Sequence, residues 1–463
     1  MMGKLKNLMK NFAKREDFIF ILTAVLVGVI FSAAKIAGDD KSVIDSMNGY
    51  SVSEAWSIEA GLWFTWSSRV FVNFIARSLM GLPRWGWCIY MCGSMYVLQK
   101  AISDLFITYN KKFWNLFIAF LICIMPWHQV TTAGWIATTA TYFGPIAFGI
   151  FGLVPIAKVI RNEKMSMRKK IFCSIALFYG TNVEQMMVVA LGCYLAMMLY
   201  MILKKRKSYY ILVNLILVII ELINFIICPG NNNRGIAEVA KWFPNYGMMD
   251  FLDKTDIGIF STLSYIFFDN SFSFIIVILL ILSCLVFKTI KDMEYRVLGT
   301  YSLVILILVG PLKDITIKLL PNLQYLTTSV PTEGMINVNN VCDTLTFYRY
   351  CFCTMIVFGI VATIALVSRK IIDFIIPMCI LAFGFASRVA IGFSPTVYAS
   401  GSRTFEVFFI CIIMAGVYTI SNSIEIERID KRKIEIARYA MITSIIVSLW
   451  EMAGLVGARY VIY

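Results

Sequence analysis

The apolar residues of this chain come in blocks of about 20, the length a helix needs to cross ~30 Å of hydrocarbon. That block length limits the fold more than any other feature. Of 463 residues, 59% are hydrophobic and 15% charged, whereas soluble chains carry roughly 25% charged residues. The pattern predicts an all-α, polytopic integral membrane protein with about 13 transmembrane helices. The expected spans are 17–37, 84–107, 113–126, 140–160, 171–183, 185–203, 210–228, 272–290, 297–312, 350–368, 371–392, 404–422 and 438–456. The third and fifth are short. Residues 1–463 read as one multi-span domain with no repeat, linker or low-complexity tract. The basic start before Phe18 resembles a signal peptide, but no small-residue cleavage site follows, so it reads as an uncleaved first span.

Every second connection is basic: Lys4 to Arg15, Lys111-Lys112, Arg161 to Lys170, Lys204 to Lys207, Lys288 to Arg296, Arg369-Lys370 and Arg428 to Lys433. The positive-inside rule places these loops and the N-terminus in the cytoplasm. The formal net charge of +14 therefore reads as topology and contact with anionic membrane lipid, with no nucleic-acid partner. The main outer loops become 38–83, 229–271 and 313–349, and the first is expected to hold an interfacial helix over Val70 to Met80 with Arg77 on its polar side. Most of the twelve cysteines, such as Cys88, Cys92, Cys193 and Cys284, sit in apolar blocks and read as packing residues.

Several polar groups lie at the expected outer face. Asp39-Asp40 follows the first span. Two adjacent carboxylates repel, so one can ionise as a base while the other stays neutral or pairs with a cation, for instance Lys41. Trp135, Thr138 and Tyr142 fall near one helical face and could line a polar cavity, or form an aromatic belt. Glu184-Gln185 opens a span, where an acid has a partner or faces water. In Pro229-Gly230-Asn231-Asn232-Asn233-Arg234 the Pro and Gly are expected to break the helix, leaving exposed amides as an anion nest beside Arg234. Arg69, Arg234 and Arg403 oppose the charge bias of the outer face, and Arg403 follows Tyr398 in a tight turn. A guanidinium grips phosphate oxygens as a fork, so an anionic ligand accounts for them, as does lipid headgroup contact. Glu451 and Asp104, inside apolar blocks, read as relay groups or as partners of nearby polar groups. His128 is the only histidine, which excludes a multi-histidine zinc site. No GxxxxGK[ST], G-x-S-x-G or H-E-x-x-H motif occurs, so nucleotide hydrolysis, serine-esterase chemistry and zinc proteolysis have no support.

In order along the chain, Asp39-Asp40, Ser68-Arg69, Gly134-Trp135…Tyr142, Glu184-Gln185, Pro229-Gly230-Asn231…Arg234 and Ser394-Pro395…Gly401-Ser402-Arg403 resemble the motifs of a large family of bacterial polytopic membrane proteins. The match runs from about residue 17 to 405. That plan is similar to the GT-C glycosyltransferases, including O-antigen glucosyltransferases of the GtrII type. The resemblance implies a bacterial cytoplasmic-membrane enzyme acting on a polyprenyl-phosphate-linked sugar at the outer face, with an acidic residue of the first outer loop. An aromatic residue often follows the acidic pair in such proteins, whereas Lys41 does here.

The expected function is thus sugar transfer to a cell-surface glycan or a lipid-linked acceptor. Asp39 or Asp40 would take the acceptor's proton. Arg69, Arg234 and Arg403 would stabilise the departing phosphate, with Trp135, Tyr142, Glu184, Gln185, Asn231 and Tyr398 around it. No cofactor or metal is required, although a carboxylate pair could bind a divalent ion. The rivals are a flippase or other transporter of lipid-linked glycan, and a polysaccharide polymerase. Sugar, acceptor and stereochemistry stay open.

Overall fold

Residues 14–47, 49–128, 133–268, 273–327 and 344–457 are described by a computed structural model. Part of the expected outer loop 313–349 lies outside them. The described residues form helices and turns, with no strand among them. Among the described residues, seven helical stretches are long and apolar enough to cross a membrane: Trp135–Ile160, Glu184–Leu203, Tyr209–Ile227, Thr344–Val367, Ile371–Phe393, Gly401–Ser423 and Lys431–Gly457. The chain divides into two units, residues 1–234 with 426–463, and residues 235–425.

The first unit begins with α1 (Phe18–Ser32) and three helices inside the first expected outer loop: α2 (Asp39–Asp45), α3 (Val52–Thr65) and α4 (Val70–Gly81). Helix α4 is the one expected from Val70 onwards, and Arg77 on it meets Glu59 of α3 at 2.5 Å. Then come α5 (Arg84–Phe106), which starts directly after Pro83, and α6 (Lys111–Cys123). A continuous stretch follows: α7 (Trp135–Thr138), a π turn over Thr139–Phe143, α8 (Gly144–Gly152) and α9 (Val154–Ile160). Pro145 and Pro155 sit in the first turns of α8 and α9, and Ala140 O, upstream of Pro145, accepts from the Tyr90 and Tyr179 hydroxyls at 3.5 and 3.4 Å. Helix α10 (Met167–Thr181) is capped by Ser166, whose side chain accepts from Lys169 N. Next are α11 (Glu184–Leu203), α12 (Tyr209–Ile227) and α13 (Pro229–Trp242), which runs on into the second unit. Helix α1 packs along α5, and α8 lies between α5 and α10. Their shared core holds Phe20, Phe31, Met91 and Phe143.

The second unit comprises α14 (Phe251–Phe268), α15 (Ser273–Thr289), α16 (Met293–Leu298), α17 (Tyr301–Val309), α18 (Lys313–Leu319), α19 (Leu323–Leu326), α20 (Thr344–Val367), α21 (Ile371–Val389) and α22 (Glu406–Ser423). The last helix, α23 (Lys431–Gly457), belongs to the first unit. The expected ninth span, 297–312, is interrupted. Gly299-Thr300 separates α16 from α17, and α17 ends at Gly310. Nine residues of helix rise only ~14 Å, less than half the hydrocarbon thickness.

Candidate functional site

Helix α2 starts at the Asp pair, and its two aspartates point to different environments. Asp39 is exposed, and its amide donates to Ala133 O at 2.7 Å. Asp40 is fully buried. Its carboxylate accepts from Ile136 N at 2.9 Å and from Ala137 N at 2.7 Å. Asp40 thus caps the start of the Trp135–Ile160 helical stretch, where free N–H groups and the helix dipole favour a negative group. Gly134 makes room for this: a Cβ there would lie 2.7 Å from Asp40 Oδ1, and its φ is +151°. Burial pushes the Asp40 carboxyl up to about 6, against the opposing pull of the backbone N–H bonds. The expected pairing with a cation such as Lys41 is therefore corrected for Asp40, whose partners are backbone N–H groups.

A second cluster gathers around the Ser67-Ser68-Arg69 turn before α4. Arg69 donates from Nε to Glu184 Oε2 at 2.7 Å, and its Nη2 approaches the same oxygen at 2.5 Å. The ring of Tyr142 lies 5.6 Å from the guanidinium. Arg234 reaches Glu184 Oε1 at 3.9 Å and donates from Nη1 to Ser67 Oγ at 3.4 Å. Burial acts to lower the Arg69 pKa, but the Glu184 carboxylate and the Tyr142 hydroxyl outweigh it, so the guanidinium stays above its ordinary value. Asn231 holds the turn, accepting from Ser68 N and donating to Ser68 Oγ, both at 3.1 Å. Arg69, Tyr142, Glu184, Asn231 and Arg234 are thus brought together from four separate segments. Helix α4, which starts at the cluster, packs on α2 and on the π turn.

Two expectations fail locally. Pro229-Gly230-Asn231-Asn232-Asn233-Arg234 is helix, the opening of α13, rather than a nest of exposed amides. Proline is well suited to a first helical position, where its missing N–H costs nothing. Trp135 does not share a face with Tyr142. It is buried against Phe31, with centroids 5.3 Å apart, while Tyr142 lies beneath Arg69. The π turn between them breaks the helical periodicity on which a common face depended. Gln185 is buried in the first turn of α11. Tyr398 and Arg403 belong to the second unit. Tyr398 is half-buried with its ring 6.1 Å from Phe243, and burial pushes its phenol up to about 12. Arg403 lies in a 3₁₀ turn, Gly401–Phe405.

Sequence reasoning missed the polar groups behind the Arg69 turn. Asn182 and Asn224 both donate to Ser68 O, at 3.4 and 3.3 Å, and both bond to Glu221 Oε2. Glu221 is an acid inside the apolar block 210–228, which was the available signal. Arg388 and Glu406, buried in the second unit, carry the same signal. Asp104, also flagged inside an apolar block, pairs with Lys100 at 2.5 Å and Lys169 at 2.8 Å. Among the described residues no three His, Cys, Asp or Glu side chains gather as a metal site. Comparison with protein-family models, with curated proteins and with solved structures finds no match for this chain.

Proposed function

We propose that the chain is a membrane glycosyltransferase that moves a sugar from a polyprenyl-phosphate donor to a hydroxyl of a glycan or lipid-linked acceptor. Two guanidiniums sharing one carboxylate carry the proposal. Arg69 and Arg234 both face Glu184. One carboxylate balances one of the two charges, and the remaining positive charge suits a phosphate. Asp39 is the exposed member of the acidic pair, on a helix packed against the one Arg69 introduces.

In this scheme the acceptor oxygen attacks the anomeric carbon and the carbon–oxygen bond to phosphate breaks. The electron pair leaves with the polyprenyl phosphate, whose developing charge Arg69 and Arg234 stabilise. The hydroxyl proton passes to the Asp39 carboxylate. Asp40 and Glu184 do not react: Asp40 fixes the helix start behind Asp39, and Glu184 orients both arginines.

The test is conversion by purified protein of a polyprenyl-phosphate sugar and an acceptor into product and free polyprenyl phosphate. Asp39→Asn is expected to lower turnover by roughly 10²-fold or more with the fold intact. Arg234→Lys keeps the charge but loses the fork, so it is expected to weaken donor use. Movement of intact lipid-linked glycan across liposomes, with the sugar–phosphate bond never cleaved, would establish a flippase in place of the transferase.

A further inference from the structure

The second unit contains an apolar cavity that the transferase scheme does not use. Its volume is about 430 Å³, and helices α14, α15, α20, α21 and α22 all line it, with Leu263, Leu279, Val357, Met378, Phe385 and Phe408 among the contributors. It is not sealed: Thr354 and Val357, on α20, line it and are exposed, Val357 at 37%. Helix α20 is one of the stretches long and apolar enough to span. A cavity opening on that face of a spanning helix admits hydrocarbon from the bilayer rather than a solute from water.

One helical turn beyond the cavity sits a charge. Arg388 follows the lining residue Phe385 by three positions on α21, so the two share a face. It is 2% exposed, and its guanidinium lies 4.3 Å over the ring of Phe405. Phe405 precedes the lining residue Phe408 by three positions, and Phe408 meets Phe385 with centroids 5.8 Å apart. The Nε and Nη1 atoms of Arg388 are buried without a hydrogen-bond partner, and no carboxylate pairs with it among the described residues. The dipole of α21 tolerates a cation in its last turn but supplies none of the missing acceptors. A buried guanidinium in that state calls for an anion.

We propose that the second unit binds an anionic glycerophospholipid of the surrounding bilayer, with one acyl chain in the cavity and the phosphate against Arg388. Position fits as well as charge. Arg388 is in the last turn of a spanning helix, where lipid phosphates lie, and the cavity begins one helical turn before it, at Phe385, and runs along α21 past Ala382 to Met378, toward hydrocarbon depth. The second acyl chain stays in the bilayer at the open α20 side. The assignment is independent of the transferase scheme, which uses residues of the first unit only.

Native mass spectrometry of the full chain in detergent tests this, with phosphatidylglycerol, phosphatidylcholine, a polyprenyl phosphate and inorganic phosphate as probes. Phosphatidylglycerol is expected to be retained at least about tenfold better than phosphatidylcholine, and inorganic phosphate not at all. Arg388→Gln should bring the two phospholipids to parity. Ala382→Phe, which narrows the cavity and leaves Arg388 in place, should lower retention of both, so a folding defect in either variant does not decide the outcome. Equal retention of the two phospholipids by the unaltered protein overturns the proposal. So does an undiminished preference in a folded Arg388→Gln protein. A polyprenyl phosphate that displaces phosphatidylglycerol at equimolar concentration overturns the phospholipid assignment.

Discussion

Asp39 and Asp40 are chemically identical neighbours in opposite surroundings, and substitution should separate them. Asp39→Asn removes an exposed charge, so stability is expected to move by no more than about 0.5 kcal/mol while transfer falls. Asp40→Asn places an amide NH₂ where two backbone N–H groups converge, at Ile136 and Ala137. One buried donor then loses its acceptor, at a cost of about 1–3 kcal/mol, measurable as a lower melting temperature. Asp40 also sets a pH dependence. Folding raises its carboxyl from 3.8 to about 6, so the folded protein holds the proton more tightly than the unfolded chain. Its contribution is fully present below about 4 and is lost as pH rises through about 6. The span is worth at most about 3 kcal/mol. Thermal melts of the unaltered and Asp40→Asn proteins should therefore differ most near pH 4 and least near pH 7.5. A constant difference would show that Asp40 is not protonated by folding.

Among the elements, the opening of α13 combines two residues usually read as helix breakers. Pro229 starts the helix, and Gly230 lets it come close to the end of α3. A Cβ at 230 would lie 2.5 Å from Trp66 N and 2.7 Å from Trp63 O, which is backbone that cannot swing aside. Gly230→Ala should therefore cost about 1–3 kcal/mol and loosen the Asn231–Ser68 bonds that hold the Arg69 turn. Gly235, in the same helix, has open space around it, so Gly235→Ala should be neutral or stabilise by up to about 1 kcal/mol. Melting temperatures moving in the same direction for both variants would contradict this assignment. The π turn at Thr139–Phe143 is the other decisive local feature. It separates Trp135, in the aromatic core, from Tyr142, beneath Arg69.

For the molecule as a whole, the alternation of basic connections predicts which loops share a side of the membrane. In a cysteine-depleted protein, a cysteine at position 232 should label from outside in intact cells, and one at 206 only after permeabilisation; both residues are exposed. Labelling of both from one side would remove the outer-face site. The division of the chain also bears on function. Arg69, Glu184 and Arg234 lie in the first unit and Arg403 in the second, so the proposed step is built from the first unit alone.

Hydropathy by itself determined that the chain is helical and membrane-type, and it located most of the helices. The helix expected from Val70 is there, and helices Lys111–Cys123 and Met167–Thr181 overlap the expected short stretches 113–126 and 171–183, though neither is long and apolar enough to cross a membrane. Burial of apolar blocks is a local property, summed over neighbours in the chain, so it can be read from the sequence. Pairings are not local. Asp40 meets N–H groups 96 residues away, and Arg69 meets Glu184 115 residues away. Only the packing of α2 and α4 onto the Trp135–Ile160 stretch decided which aspartate is free and which is a cap. Periodicity failed where the backbone left the 3.6-residue repeat, at the π turn, and the interruption at Gly299-Thr300 shortened a span that apolar content alone made whole. A buried charge such as Glu221 or Arg388 is visible in the sequence as an exception to its block. Whether that charge is met by a neighbour or left for a ligand depends on contacts that form only when distant helices pack.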